Sequence, residues 1–372
     1  MEKLKFCAPC LFATEGIVAN ELRFMDIEDV TPETGKVYFS GDFSTLARAN
    51  IRLRCAERVH IVLGEFYALS FEELFNGVYN LPFENFILKD EAFPVKGSCL
   101  DSQLMSTPDC QKIIKKAAAK RLGERYGVEW LPETGALHQI HFQIHKDKVS
   151  IFLDTSGDGL HKRGYRKEAN DAPISETLAA VMVELCRVRP NHYVVDPMCG
   201  SGTVLIEAAL KALKIAPGIN RSFAAEKWKA IPQSVWKEER AIARSLENPE
   251  ADFFAVGSDI DTAALAVARK NAELAGVADR IEFIERDLRD FTPDRERGTL
   301  ITNPPYGERL LDVREAEVLY KIMGERFPRK DGWSYGIITP DDDFEKCFGR
   351  KADKRRKLYN GMLKCQLYMY FK

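Results

Sequence analysis

The sequence predicts an α/β protein whose C-terminal part contains a mostly parallel sheet and whose N-terminal part is α+β. In the C-terminal part, short apolar segments alternate with segments of helical spacing, which is typical of βαβ units. The N-terminal third instead reads strand, helix, strand, helix, strand, which predicts a small sheet with helices on one face. With 372 residues, the chain is long enough for two or three domains.

The N-terminal elements follow from apolar spacing and from turn residues. We predict three strands, at 4–10, 36–39 and 58–66, and two helices, at 17–24 and 43–54. Residues 70–98 are predicted to form helical and loop segments. A basic helix over 109–125 begins near Asp109 and is followed by a hairpin of two strands, at 137–145 and 148–154.

The C-terminal elements are predicted in the same way. A helix over 173–188 precedes a strand at 192–196, and a glycine turn leads into a helix at 203–213. Further strands are predicted at 251–257, 280–284, 298–302 and 334–338, with helices at 263–275 and 315–327. A hairpin around Asn360-Gly361 supplies antiparallel edge strands. The insert 211–234 receives no predicted role, although it could shape an entrance to the site.

Composition excludes several classes of protein. The longest apolar segment, 178–183, is far shorter than the roughly 18 residues that span a bilayer, and no signal peptide is recognised. The nine cysteines are an odd number in a chain without an export signal, which indicates reduced thiols. We therefore expect a cytoplasmic protein that does not associate with a membrane.

Two basic clusters stand out in a chain whose net charge is only −2. Such clusters can bind a phosphate backbone, although a solvated helix face or turn is the alternative for each. The candidate RNA-binding residues are Lys112, Lys115, Lys116, Lys120 and Arg121 in the basic helix, and Lys354, Arg355 and Arg356 near the C-terminal end.

A glycine turn follows the predicted strand at 192–196. A dinucleotide-binding turn would have a third glycine where this chain has Leu205, and a P-loop would have a lysine that is missing here. The turn does fit Asp-x-x-x-Gly-x-Gly, the pattern of the first strand in S-adenosylmethionine-dependent methyltransferases, and a plain tight turn is the alternative. The candidate cofactor residues of this turn are Asp196, Pro197, Gly200, Ser201, Gly202 and Thr203.

Two further acids follow the next two predicted strands. Asp259, with Ile260 after it, stands where a carboxylate can accept hydrogen bonds from both ribose hydroxyls of a nucleoside. Asp287, with Leu288 after it, stands where a carboxylate can accept a bond from an adenine amino group. Either acid alone could be a helix N-cap, but acids at three successive strand ends favour a cofactor site.

The sharpest motif is Asn303-Pro304-Pro305-Tyr306, at the end of the fourth predicted strand. The Asn303 side-chain oxygen and the Pro304 carbonyl can each accept an N–H bond from an exocyclic amine, which stabilises the charge that develops on its nitrogen. Tyr306 offers a face for a base swung out of its stack. Methylation of pyrimidine carbon 5 would need a nucleophilic cysteine in this loop, and there is none. The motif itself serves adenine N6 and guanine N2 equally.

No metal site is predicted. Cys7 and Cys10 have the spacing of a redox motif but lie outside a βαβ context. Of His138, His141 and His145, only the last two would share a strand face, and no carboxylate spacing completes a ligand set.

Several segments together resemble a known family. Residues 160–166 (Leu-His-Lys-Arg-Gly-Tyr-Arg) and 172–176 (Ala-Pro-Ile-Ser-Glu) resemble the segment that precedes the first strand in THUMP-containing RNA methyltransferases. With 196–203, 303–309 and 357–361 (Lys-Leu-Tyr-Asn-Gly), the chain is similar to bacterial 23S rRNA guanine-N2-methyltransferases, which are often described as N6-adenine-specific DNA methylases.

The resemblance implies a ferredoxin-like domain over 1–65, a THUMP domain that grips RNA over 66–158, and a class I (Rossmann-like) methyltransferase domain over 159–372. It implies S-adenosylmethionine as cofactor, with S-adenosylhomocysteine as product, and adds Arg163 and Pro173 as walls of the cofactor pocket. Asn303, Pro304 and Tyr306 would hold the target base, and Asn303 would also border the cofactor. Some members carry a second methyltransferase domain; since this chain ends at Lys372, we expect no second modification.

The partner implied is 23S rRNA or a precursor of the large ribosomal subunit, with no obligate protein partner. Three alternatives remain open: an adenine-N6 methyltransferase acting on DNA or RNA, a non-catalytic RNA-binding or ribosome-assembly factor, and a protein-glutamine methyltransferase. The last shares the Asn-Pro-Pro-Tyr tetrapeptide but would not need a module that grips RNA.

Overall fold

The computed structural model describes residues 3–166, 174–306 and 313–371. The chain divides into two compact units. The first unit comprises Met1–Pro9, Ala19–Leu160 and Ser222–Ala241, and the second comprises Cys10–Val18, His161–Arg221 and Ile242–Lys372.

The helices and strands of the chain are as follows. Up to residue 154 they are β1 (Leu4–Pro9), α1 (Glu15–Arg23), β2 (Glu28–Glu33), β3 (Lys36–Gly41), α2 (Phe43–Arg52), β4 (His60–Tyr67), α3 (Phe71–Tyr79), β5 (Val95–Leu100), α4 (Thr107–Tyr126), β6 (Ile140–His145) and β7 (Lys148–Asp154). Beyond it they are α5 (Glu176–Leu185), β8 (Tyr193–Asp196), α6 (Thr203–Ala212), α7 (Gln233–Ser245), β9 (Phe254–Asp259), α8 (Thr262–Ala275), β10 (Ile281–Glu285), β11 (Gly298–Thr302), α9 (Val313–Arg326), β12 (Trp333–Thr339), α10 (Phe344–Phe348), β13 (Lys354–Asn360) and β14 (Leu363–Tyr370).

The first unit is built on one sheet with the strand order β2-β3-β1-β4-β7-β6-β5. The prediction of a small N-terminal sheet was wrong, because β4 pairs antiparallel with β7 from His60↔Asp154 to Tyr67↔Lys148 and joins both halves of the unit. The predicted ferredoxin-like and THUMP domains therefore share a sheet, and their boundaries stay predictions.

Two strands of this sheet, one at each end of its strand order, were missed from sequence. Strand β2 is polar and almost wholly exposed, so it has no apolar pattern to predict it, and its Pro32 is tolerated because β2 is an edge strand. Strand β5 lies mostly within 70–98, for which helical and loop segments are predicted, and it contains polar residues and Gly97. That glycine is required by packing, since a Cβ there would lie 2.1 Å from the Phe142 carbonyl oxygen of β6.

The second unit is built on a sheet with the order β10-β9-β8-β11-β12-β14-β13. Strands β8 to β12 run parallel and β14 runs antiparallel to β12 and β13, which confirms the α/β class and the antiparallel edge hairpin. Leu300, Ile337 and Tyr320 lie in the core cluster that packs on this sheet.

The strand order determines where a ligand can bind in the second unit. Strand β8 lies between β9 and β11: the strands that follow it are added first on one side, as β9 and β10, and then on the other, as β11 and β12. At such a switch point the connections diverge and leave a crevice outside the carboxyl ends of the strands. The residues that follow β8, β9, β10 and β11 are therefore brought to one edge.

The insert between β8 and β9 contains α7 and contributes residues 222–241 to the first unit. The Trp228 ring stacks on His138 at a centroid distance of 4.2 Å, and its Nε1 donates to the Leu137 carbonyl at 2.9 Å. This part of the insert thus packs against residues 137–138 of the predicted THUMP segment. In the described part of the chain, no helix has the length and apolar character needed to cross a membrane.

Candidate active site

The glycine turn after β8 has one closed side and one open side. Gly200 and Gly202 have φ angles of +51° and +78°, the left-handed region that favours glycine. A Cβ on Gly202 would lie 3.0 Å from the Phe283 ring, so the backbone there is pressed against the core. A Cβ on Gly200 would meet no heavy atom of the described residues within 4 Å. The open side is a cradle that a side chain would fill and that a ligand can enter.

Asp259, at the end of β9, holds this turn in place. Its Oδ2 accepts from the Gly200 amide at 2.9 Å, and its Oδ1 accepts from the Asp261 amide at 3.0 Å. Since each carboxylate oxygen has about two acceptor positions, each keeps one for a ribose hydroxyl. Ile260 follows and is 70% exposed, an apolar side chain available to a flat heterocycle.

Asp196 lies deeper than the sequence suggests. Its side chain is only 2% exposed, and Oδ1 accepts from the Met198 amide at 3.1 Å. Burial raises the pKa of this carboxyl to about 7, against the opposing effects of the Thr302 side chain and the Met198 amide. Asp196 therefore shapes the start of the turn. Next to it, Cys199 is buried, as expected of a packing residue, and burial raises its pKa well above the ordinary value.

Three other predicted cofactor residues have contacts that limit what they can do. The Asp287 carboxylate caps the turn after β10, accepting from the Arg289 amide at 2.8 Å and from its guanidinium at 2.8 Å. Leu288 packs into the core, which leaves its backbone as the group that a ligand could reach. Ser201 is buried with its hydroxyl 3.3 Å from that of Thr203.

The Asn-Pro-Pro-Tyr segment leaves β11 next to the glycine turn, because β11 pairs with β8 through Leu300↔Val195. The Asn303 side-chain oxygen is shielded from solvent and accepts no hydrogen bond from the described residues. An unpaired buried acceptor costs about 1–3 kcal/mol, so such an oxygen is a strong candidate to receive a donor from a ligand. Pro304 is buried beside it.

Tyr306 is held by the C-terminal hairpin. Its hydroxyl accepts from the Asn360 Nδ2 at 2.9 Å and lies 3.9 Å from the Cys365 Sγ. Burial raises the pKa of this phenol, so the ring stays neutral. Sequence reasoning missed Asn360 as an anchor of the tetrapeptide; the only available signal was its place in the 357–361 segment of the resemblance.

Arg163 is fully engaged inside the second unit. Its Nε lies 3.4 Å from Glu207 Oε1 on α6, and the Tyr165 hydroxyl donates to the same oxygen at 3.1 Å. Arg166, which sequence reasoning did not single out, reaches the Thr203 hydroxyl at 3.5 Å and Glu176 at 2.8 Å. Pro173 lies outside the described residues, so its predicted role stays a prediction.

The candidate RNA-binding residues differ in availability. On α4, Lys115 pairs with Glu133 and Arg121 with Glu84, so both are tied to the first unit. The other α4 candidates are exposed and spaced four residues apart along one face: Lys112, Lys116 and Lys120. In β13 all three candidates are exposed, but the Arg355 guanidinium pairs with Glu345 of α10.

One group in the described part of the chain is close enough to consider for a metal ion: His60, His141 and Asp154 of the first unit, with candidate ligand atoms within 4.8 Å of one another. Sequence reasoning missed this group because His60 is about 80 residues before His141 in the chain, and only the sheet order β4-β7-β6 brings them together. The Arg58 guanidinium already binds Asp154, where a cation would have to displace it. The prediction that no metal is used stays a prediction.

Comparison with known proteins places these features in a family. A family model described as "RMKL-like, methyltransferase domain" matches residues 163–369. Models for the "RlmL ferredoxin-like domain" and the "THUMP domain" match residues 5–60 and 68–154.

Full-length relatives agree with these matches. The chain is 42% identical to "Putative RNA methyltransferase YpsC" of Bacillus subtilis, covering 100% of this chain and 97% of that protein. It is 35% identical to "Ribosomal RNA large subunit methyltransferase K/L" of Psychromonas ingrahamii over 99% of this chain, and spans about half (50%) of that relative's length.

A solved structure supports both the fold and the cofactor. The crystal structure described as "SMU.472, a putative methyltransferase complexed with SAH" superposes with a TM-score of 0.94 at 42% identity, covering 100% of this chain and 98% of that one. The predicted fold class is confirmed, as is the cofactor class. The chain belongs to the RMKL-like methyltransferase family, whose S-adenosylmethionine-dependent domain follows ferredoxin-like and THUMP domains here.

Proposed function

We propose that this protein methylates the exocyclic N2 amine of a guanine in 23S rRNA or in a precursor of the large ribosomal subunit. The THUMP match and the names of the relatives support RNA, and the K/L name supports the large subunit. On this proposal the reaction takes place in the cytoplasm, and we propose no obligate protein partner. The product of the cofactor is S-adenosylhomocysteine.

The observation that carries this proposal is the Asn303 side-chain oxygen at the end of β11. It is buried and unpaired among the described residues, and it lies on the strand next to the glycine turn. An amine has hydrogens to donate to such an oxygen, whereas a ring carbon does not. Methyl transfer to an amino nitrogen is therefore the chemistry that completes this site.

The residues that would hold the cofactor are those around the glycine turn. Asp259 keeps an acceptor position on each oxygen for the ribose hydroxyls, Gly200 leaves open space, and Ile260 offers an apolar face. When bound, S-adenosylmethionine supplies an electrophilic methyl group on a sulfonium.

The base would be held by the tetrapeptide. Accepting both amine hydrogens on Asn303 Oδ1 and the Pro304 carbonyl withdraws the nitrogen lone pair from the ring and orients it for attack. Tyr306, fixed through Asn360, gives the extruded base a face to stack on. No strong base is needed, because the nitrogen becomes acidic once the methyl group is attached and loses its proton to water. Most of the rate enhancement would come from aligning the amine nitrogen with the methyl group and the sulfonium.

The test is methyl transfer from labelled S-adenosylmethionine to unmodified 23S rRNA and, separately, to double-stranded DNA. The products are digested to nucleosides and identified by mass spectrometry. We expect N2-methylguanosine from RNA, and a loss of about 100- to 1,000-fold in kcat for Asn303→Ala, the size seen when a preorganised polar group is removed. The matched control is Asn248→Ala, because the Asn248 backbone amide, which the substitution keeps, donates to the Leu213 carbonyl at 2.8 Å.

Each other product would overturn a specific part of the proposal. N6-methyladenine would keep the mechanism and replace the base, and methylated DNA without methylated RNA would replace the substrate. No product from either nucleic acid, with S-adenosylhomocysteine still bound in calorimetry, would favour a non-catalytic assembly factor.

A further inference from the structure

The turn between β13 and β14 presents large apolar side chains to solvent. Asn360 pairs with Leu363, so the turn itself consists of Gly361 and Met362. Met362 is 98% exposed and Leu363 45% exposed. Phe12, which is 55% exposed, contacts the Tyr359 ring edge-on at a centroid distance of 6.1 Å. We call residues 359–363 together with Phe12 the hairpin tip.

The sheet places the hairpin tip at the edge where the ligands bind. Strand β14 runs antiparallel to β12, and its Gln366 lies opposite Thr339, the last residue of β12. The residues of β14 before Gln366 therefore extend past the carboxyl end of β12. Because the glycine turn and the tetrapeptide lie at the carboxyl ends of the same parallel strands, the tip projects from the active edge.

A direct contact joins the hairpin tip to the tetrapeptide. The Asn360 Nδ2 donates to the Tyr306 hydroxyl at 2.9 Å, and Cys365 lies 3.9 Å from the same oxygen. Met362 is two residues from Asn360 in sequence. An exposed methionine thus lies in the turn that directly follows Asn360, the residue that fixes the Tyr306 ring.

The surroundings of the hairpin tip are cationic. Arg356 and Lys357 are exposed along β13, the last strand in the order of its sheet, and Lys364, just beyond the turn, is exposed and lies 3.9 Å from Asp342. Lys357 Nζ lies 5.3 Å from the centre of the Tyr359 ring. A single exposed apolar residue is ordinary on a protein surface. Apolar residues at a tip flanked by unburied cations instead match a nucleic acid, with its apolar base stack between two phosphate strands.

From this we propose that the hairpin tip is a wedge, in which Met362 enters the RNA base stack and fills the space left by the nucleotide swung towards Tyr306. The inference rests on the proposed function, since it requires an extruded base. Swinging a base out costs stacking and pairing energy, and apolar side chains inserted at the gap offset part of that cost. The cations along β13 would bind the flanking phosphates.

The test compares a paired with an unpaired target. Once the methylated nucleotide has been mapped in 23S rRNA, a synthetic oligoribonucleotide that spans it is used alone and annealed to its complement. A wedge matters only where the base must be extracted. We therefore expect Met362→Ser to lower kcat/KM about tenfold on the annealed RNA and less than about twofold on the single strand.

Two further variants keep the result interpretable. Met362→Leu retains an apolar tip and is expected to keep at least half of the activity on annealed RNA. Leu274→Ala removes an exposed apolar side chain from α8 and is expected to change neither rate. The affinity for S-adenosylhomocysteine, measured by calorimetry, should be unchanged in all three and so reports that the second unit is folded.

The remaining outcomes separate the wedge from the proposed function. The wedge is overturned if Met362→Ser and the wild-type protein methylate annealed RNA at equal rates. It is also overturned if Met362→Ser loses the same factor on annealed and single-stranded RNA, which would favour a protein partner or a structural role for the hairpin tip. Either result leaves the methyltransferase proposal intact. Failure of the unmodified protein to methylate any RNA overturns both.

Discussion

Replacing Asp259 by asparagine is the most direct test of the cofactor half of the site. The wild-type carboxylate already accepts the Gly200 and Asp261 amides, at 2.9 and 3.0 Å, and keeps one position on each oxygen for a ribose hydroxyl. In Asp259→Asn, one oxygen becomes an NH₂ group. Whichever way the amide is turned, that group faces a backbone N–H, so a donor opposes a donor and an acceptor for the ribose is lost.

The expected magnitude follows from these contacts. Hydrogen bonds to a charged group contribute about 1.5–3 kcal/mol each. Losing one ribose bond and the charge that strengthens the other corresponds to about 3 kcal/mol, a rise of about 100-fold in Kd at 1.4 kcal/mol for each factor of ten. The assay is isothermal titration of the purified variant with S-adenosylhomocysteine.

The chain offers a matched control two residues away. Asp261 makes a different contact, since its Oδ1 accepts from the Ala263 amide at 2.8 Å and caps α8. Asparagine is as good an N-cap as aspartate, so Asp261→Asn should change Kd less than about threefold and leave the thermal midpoint nearly unchanged. A threefold or smaller change in Asp259→Asn, with the fold intact, would refute the assignment of Asp259 to the ribose.

Three further predictions concern other parts of the chain. Gly200→Ala should abolish binding of S-adenosylhomocysteine with a stability cost of only about 1–2 kcal/mol from its left-handed φ, whereas Gly202→Ala should unfold more readily because its Cβ meets the Phe283 ring; calorimetry and urea unfolding separate the two. Replacing the exposed lysines of α4, Lys112, Lys116 and Lys120, by glutamate should weaken RNA binding and reduce its dependence on salt concentration in filter-binding titrations. Replacing the same lysines by arginine keeps the charge and should change neither. Burial raises the pKa of Asp196 from 3.8 to about 7, so the folded state binds the proton more tightly than the unfolded state. The free energy of unfolding therefore falls as the pH rises between these two values. In urea unfolding measured from pH 4 to 8, Asp196→Asn should remove the decrease in the midpoint that Asp196 causes.

The second unit was the more predictable part of the fold. The bounds 298–302 agree with β11, the strand at 192–196 differs from β8 by one residue at its start, and the strand at 280–284 is shifted by one residue at each end relative to β10. Strands β8 and β11 are buried throughout, β10 alternates buried apolar with exposed residues, and Gly, Pro or acidic turn residues bound them, so local patterns carry the information. The helix predicted to start at Pro173 begins at Glu176 in the structure, after the Ser175 N-cap.

Other features depend on contacts that no local pattern contains. Strand β5 exists because β6 pairs with it in parallel, and Gly97 looks like a loop residue until the Phe142 backbone is seen against it. Lys115 and Arg121 belong to the same basic helix as the exposed lysines of α4, and only the structure shows that they are half-buried and paired with Glu133 and Glu84 outside the helix, whereas Lys112 and Lys120 pair with acids of α4 itself. Sequence could therefore locate the basic helix but not select its available charges.

The site divides into two halves on either side of β8, and this division can itself be tested. Asp259 belongs to the half made by β8 and β9, and Asn360 reaches only the half made by β11 and the hairpin, through Tyr306. Residues without shared partners contribute independently, so Asn360→Ala should lower kcat without changing the Kd of S-adenosylhomocysteine, and the double variant with Asp259→Asn should show additive effects within about 0.5 kcal/mol. A larger coupling would mean that the hairpin and the glycine turn move together, and the tetrapeptide would then have to be regarded as part of the cofactor site rather than as a separate base-binding element.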